Sequence, residues 1–323
     1  MNVYLTLCVT VCLATLFVTT LAGILAGNLM LGLLRRFHVD WQLRSPALSF
    51  CMRMFPFLLG VVTTFTFVLP SFLLLEPKQT PEIPEPHLLS LAGTTLVVLC
   101  VWTVRWIRLT RETHRKSQQW LRTGHPIKIP MVSVPVRAIE SPESLVAVTG
   151  IFRTRVFIGR EALATLTMDE LQAVVAHELA HIRSFDNLKQ LLVRITRLPR
   201  WLAHFNWLDS EWSHAAEFSA DRGAVQEGAS PLDLASALVK ISRLRICDDA
   251  AGLACHLIPA RHGSAVAMRV QHLQNAFEDS SGPRESVPWF APSFAAATLL
   301  SIYLLMLPTA MPLTHKCIEW LVR

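Results

Sequence analysis

The sequence predicts an α+β protein in two parts: a polytopic membrane region with four transmembrane helices, and a mainly helical domain with a small β-sheet set between the third and fourth. Three observations predict it. Apolar residues make up 52% of the 323 and charged residues only 17%, too greasy a mixture for an ordinary soluble domain of this length. Several long runs carry no charge at all, and the more polar stretch between them has apolar residues recurring at helical spacing. In the middle of that stretch, two histidines stand four residues apart, one above the other on a single helix face.

Residues 1–109 are read as the membrane region, with spans at about 3–34, 54–75 and 88–107. The first run is far longer than the apolar core of a secretory signal and has no basic residues before it, so a span is expected there, not a cleaved leader. Met54 to Leu75 is equally free of charge. The third run is shorter, but Arg105 and Arg108 can snorkel, and Trp102 and Trp106 suit a membrane boundary. Residues 288–323 are expected to hold a fourth span at about 289–311 and a short external tail.

Loop charge sets the orientation. Arg35, Arg36, Arg44 and Arg53 oppose a lone acid, Asp40, in the first loop, whereas Glu76, Glu82 and Glu85 face only Lys78 in the second. Arg105, Arg108, Arg111, Arg115 and Lys116 follow the third span. The positive-inside rule then places the first loop and the 110–287 domain in the cytoplasm, in a multi-pass protein of the cell (inner) membrane. The lipid bilayer is thus a partner. The basic run suits lipid headgroups or a solvated helix face, and the net charge of +6 does not argue for direct nucleic-acid binding.

About 180 residues between the third and fourth spans suffice for one compact domain. Residues 131–138 and 153–159 read as short strands rich in Val, Ile and Phe, separated by a Ser/Pro/Glu loop, and everything after Thr167 is helical in pattern. A strand edge beside the histidine helix would offer an extended peptide a pairing partner; a core hairpin without substrate contact is the plainer reading. Cys8, Cys12 and Cys100 fall in spans, Cys51 and Cys317 near them, and Cys247 and Cys255 in the domain, with no pair at metal or disulfide spacing. These suit a reducing compartment.

His177-Glu178-Leu179-Ala180-His181 carries the chemistry. The i, i+4 imidazoles can grip one metal ion, and Glu178 is placed to take a proton from water at that metal. Thr167-Met168-Asp169-Glu170 upstream is a capping box, and Leu171, Val174, Val175 and Ile182 continue at helical spacing, so the motif sits inside a well-started helix. A catalytic zinc needs a third protein ligand and an open position. The metzincin pattern is excluded, because Ser184 and Asn187 occupy its Gly and His positions. Glu217 is the better candidate: Glu217 and Asp221 are again i, i+4, so one carboxylate can bind metal while the other orients a histidine. His214, one turn before Glu217, is the rival ligand.

Gly150 to Ile158, Leu166 to Leu171, the His-Glu-x-x-His helix and the Glu-x-x-x-Asp helix together resemble the membrane-embedded gluzincin metallopeptidases over about residues 130–275. Two branches fit: the beta-lactam sensor-transducer (antirepressor) peptidases, and the HtpX-like and CAAX prenyl proteases. The resemblance implies a gluzincin fold, one zinc per chain held by His177, His181 and Glu217, Glu178 as general base, and Asp221 behind the ligands. Arg269 in Arg269-Val270-Gln271-His272-Leu273 resembles the late arginine motif of the HtpX-like branch, without the His-Pro that normally precedes it.

Both tyrosines, Tyr4 and Tyr303, fall in spans, so an oxyanion donor must come from His256, His262, Arg269 or His272. Arg269 and His262 are preferred, the first on the resemblance and the second for its place before Gly263 in an expected loop. Arg222 reads equally well as an ion-pair partner of Asp221.

The expected activity is zinc-dependent endopeptidase cleavage of a cytoplasmic or membrane-associated protein in regulated proteolysis. Resemblance to the sensor-transducer branch implies a transcriptional repressor as target, although only about eleven residues follow the last expected span and leave no room for a penicillin-binding sensor. HtpX-like quality control of membrane proteins and a non-catalytic membrane receptor or scaffold are the alternatives. A homo-oligomer is compatible with every one of these readings.

Overall fold

The computed structural model of the chain describes residues 3–36, 45–77, 84–130, 134–140, 146–149, 155–199, 203–245, 263–278 and 309–319. It is mostly helical. α1 (Val3–Arg36) is followed by α2 (Pro46–Thr63), which passes through a π-helical turn (Thr64–Val68) directly into α3 (Leu69–Leu75). Pro70, in the first turn of α3, has no N–H for the carbonyl of Thr66 and would clash with it in a regular helix; the wider turn just before it absorbs the misfit. α4 (Pro86–Thr123) is a single 38-residue helix that continues well beyond the apolar run that predicted it.

Three helices, Val3–Leu33, Pro46–Leu75 and Pro86–Thr123, are long and apolar enough to cross a membrane. They pack on one another through small and apolar faces, and large side chains such as Leu29, Leu58, Phe65, Leu74 and Val97 remain exposed outside. So much exposed apolar surface would be a liability in water and suits lipid. At one end of the bundle Leu7, Val11, Phe72, Leu88 and Ile318 form a cluster, the last from a helix over residues 309–319. Residues 289–308 of the expected fourth span lie outside the described residues.

The domain begins on a four-stranded mixed sheet of β1 (His125–Ile127), β2 (Val136–Ile139), β3 (Val146–Thr149) and β4 (Arg155–Gly159), in the order β1-β2-β4-β3. The two expected strands correspond to β2 and β4, but they pair in parallel and not as a hairpin, with β3 antiparallel on the far side of β4. β3 falls in the segment read as loop. All four of its residues are buried, so it lacks the alternation by which a half-buried strand announces itself.

Six described helices follow: α5 (Arg160–Thr165), α6 (Met168–Arg183), α7 (Asp186–Ile195), α8 (Ala203–Gln226), α9 (Pro231–Arg245) and α10 (Gly263–Glu278). Beyond Thr167 the described regular structure is all helical, as the pattern predicts. Val146, Val148, Val156 and Ile158 of the sheet close a core with Leu171, Val174 and Val175 of α6 and Leu234, Leu238 and Ile241 of α9. α6 starts on the expected capping box: Thr167 accepts from the Glu170 N–H, and the Glu170 carboxylate accepts from the Thr167 N–H at 2.8 Å. The same carboxylate accepts from Ser236 and Lys240 of α9, which fixes the start of α6 to the core.

α8 is shared between domain and membrane bundle. Its second half packs on α6; toward its start, Phe205 and Leu208 pack with Ile24 and Leu31 of α1, and further along Trp212 and Ala216 pack with Phe50 and Met54 of α2. A Cβ on Gly27 of α1 would stand 2.9 Å from the Phe205 ring, so a glycine is what lets these two helices meet. Arg53, counted among the loop charges in the sequence, lies instead in the third turn of α2 and is fully buried against α8, because α2 starts at Pro46.

Candidate metal centre

α6 delivers His177, Glu178 and His181 to one face, and α8 crosses it with Glu217 and Asp221; all five are buried. The crossing is close because Gly223 lies over Ala180, where an added Cβ would meet the alanine methyl at 2.9 Å. Nε2 of His177 and Nε2 of His181 are 3.2 Å apart, and the Glu217 carboxylate lies 3.6 and 3.7 Å from them. Among the described residues these three side chains form the group whose ligand atoms all lie within 4.8 Å of one another. His214 is not in it.

The outer imidazole nitrogens are held by carboxylates. Nδ1 of His177 is 2.9 Å from Asp221 Oδ1, and Nδ1 of His181 is 2.8 Å from Asp186 Oδ2. With Asp186 bonded at Nδ1 of His181 and Asp221 beside Nδ1 of His177, both Nε2 atoms face the same point, where two lone pairs repel unless a cation sits between them. The charges agree. Glu178, Glu217, Asp221 and Asp186 bring four carboxylates against Arg269 and Lys189, which leaves two negative charges for a divalent ion. The donor set, two imidazoles and a carboxylate, is one that zinc takes.

Burial alone would pull the His177 imidazole down, but Asp221 and Glu217 outweigh it and push its pKa up to about 9. Burial would raise Glu217, yet Arg269 and the two imidazoles hold it down at about 2. Arg269 and His177 likewise hold Asp221 well below the usual carboxylate range, against its burial.

The profile of peptidase family M48 matches residues 110–285. The chain belongs to peptidase family M48. It is also 27% identical over 141 residues to a protein described as "Protease HtpX homolog" from Salinibacter ruber, an overlap of 36% of this chain and 51% of that protein. The chain thus spans about half the length of the curated relative it matches. Of the two branches that the motifs resemble, these similarities speak for the HtpX-like one.

Within the M48 domain, the structure brings some of the expected residues together and keeps others apart. His177, Glu178, His181, Glu217 and Asp221 come together as described. Arg269, on α10, places Nε and Nη2 at 2.8 and 2.6 Å from the two Asp221 oxygens and Nη1 at 2.8 Å from Glu217 Oε2, so its guanidinium spans both carboxylates of α8. Arg222 is exposed, and the cation at Asp221 is Arg269. His272, one turn after Arg269, packs on Phe218 with ring centres 5.4 Å apart. His256 and His262 lie outside the described residues.

Sequence reasoning missed Asp186. It is buried beside His181, with Lys189 at 3.2 Å from its other oxygen. The chain returns there because Phe185 adopts a left-handed conformation, φ 54°, which ends α6 and starts α7 within two residues. A bulky residue rarely takes that conformation, so surrounding structure must enforce it. An acid five residues after the second histidine was the available signal.

Proposed function

We propose that this protein is an integral membrane zinc endopeptidase that cleaves a cytoplasmic or membrane-associated protein. The observation that carries the reading is the convergence of His177, His181 and Glu217 around one point, with Glu178 on the same buried helix face. Zinc held by these three ligands would supply Lewis acidity and a more acidic water. Glu178 takes the water proton and returns it to the leaving amine. Asp221 and Asp186 fix the imidazoles from behind, and Arg269 holds the Glu217 and Asp221 carboxylates in place. The edge position of β3, packed against α6, supports pairing with an extended substrate backbone.

The similarity to an HtpX homolog supports broad quality control of membrane proteins as strongly as cleavage of one regulatory target such as a repressor. The membrane topology proposed has four spans with the domain on the cytoplasmic side. In support, α10 passes the metal centre at Arg269, while the 309–319 helix packs at the opposite end of the bundle. The uncharged run from Trp289 to Met311 between them suits one more crossing.

The test compares cells carrying wild type and Glu178→Gln. The purified variant should keep one zinc per chain and lose turnover, and amino termini present only with wild type should name the substrates. Many unrelated membrane proteins would select quality control, and a single soluble target would select regulated proteolysis. Full turnover in Glu178→Gln, or a wild-type protein without zinc, would sink the enzyme reading in favour of a receptor or scaffold.

A further inference from the structure

Arg53 is a buried cation where α2 meets the domain, its side chain 1% exposed. Nε donates to Asp209 of α8 at 2.6 Å and Nη2 donates to the carbonyl of Thr196 at 3.0 Å. The guanidinium lies 5.7 and 5.9 Å from the ring centres of Phe57 and Phe205. A charge that served only to bias a loop toward the cytoplasm would stay in water, since burying it is costly unless it is paired.

Its two partners sit on elements that reach the metal centre. Thr196 caps α7, whose first residue, Asp186, holds His181. Asp209 lies two turns before Glu217 on α8 and about three before Asp221. Short helices are stiff rods, so a shift at the Arg53 end is felt at the other. Arg105 of α4 grips the same segment by donating to the carbonyls of Ile195 and Arg197, both at 3.2 Å. α6, by contrast, is seated on the core formed by the sheet and α9.

We infer that Arg53 is a positioning residue through which the membrane bundle sets the metal centre, by holding the α7 and α8 carboxylates in register with the α6 histidines. The inference rests on the proposed metal ligands. It also makes the lipid-embedded part a determinant of catalysis: a change in how α2 sits in the bilayer reaches Asp186 and Glu217 through one side chain.

The test uses the full chain in lipid nanodiscs, loaded with zinc or cobalt. Replacing both partners by apolar groups, R53M with D209L, preserves packing and removes the buried charges, so the fold should be kept. Expected are a wild-type melting temperature, zinc release to a chelator faster by about tenfold or more, an altered cobalt absorption spectrum, and a fall in kcat with KM unchanged. R53K keeps the charge but not the fork of donors, and should fall between. Wild-type release, cobalt spectrum and kcat in the double variant would overturn the inference. If the double variant does not insert, R53K is judged by the same readouts, with wild-type values overturning it. A wild-type chain that binds neither metal removes the ligand reading and this inference together; a metal-binding wild type with indifferent Arg53 variants removes this inference alone.

Discussion

Asp186 and Asp221 do for the two histidines what neither ring can do for itself: each stands at Nδ1 and turns the opposite nitrogen toward the metal position. Asp221 was legible in the sequence because i, i+4 spacing from Glu217 survives any packing of that helix. Asp186 was not, since its place depends on the left-handed turn at Phe185. Both should respond alike to removal of charge. Asp186→Asn and Asp221→Asn are expected to fold and to bind zinc about 10 to 100-fold more weakly than wild type, as read by chelator competition. An unchanged affinity in either would make that carboxylate a bystander.

At the level of elements, the crossing of α6 and α8 decides whether three ligands meet. Gly223 over Ala180 sets its closeness. Gly223→Ala should push the helices apart, destabilise the fold by about 1–3 kcal/mol and weaken zinc binding. Adding Ala180→Gly should restore both by vacating the space; a double variant as weak as the single one would show that the contact does not set the site. The start of α6 gives a pH-dependent counterpart. Burial would raise the pKa of Glu170, but Lys240, Ser236 and the Thr167 N–H outweigh it and lower it. Ionised Glu170 therefore adds stability above its unfolded pKa near 4.5, and that stability is lost as pH falls through the lower folded value. Glu170→Gln should cost about 1–3 kcal/mol at neutral pH, and the gap to wild type should close in denaturant melts below about pH 4.5. A gap that stays constant with pH would point to packing and not charge.

On the scale of the whole molecule, the first half of α8 lies against α1 and α2, so the domain cannot hang freely from the bundle. Topology is tested with reporters. Alkaline phosphatase fused at Gln79 or after Glu319 should be active, and fused at Ser230 inactive. The reverse pattern would overturn the orientation and any cytoplasmic substrate.

What the sequence determined by itself is what local periodicity and composition can carry. Uncharged runs predict the three membrane helices, Thr167 and Glu170 the start of α6, and the i, i+4 pairs the chemistry of the two site helices, because each depends on residues a turn or two apart. Only the tertiary structure decided the parallel pairing of β2 with β4, the buried strand β3, the return of Asp186 to His181, the place of Arg269 across Glu217 and Asp221, and the burial of Arg53 under α8. In each of these the partners are far apart in sequence or joined by an unusual turn. Their meeting is set by how whole faces pack, a property that no window along the chain contains.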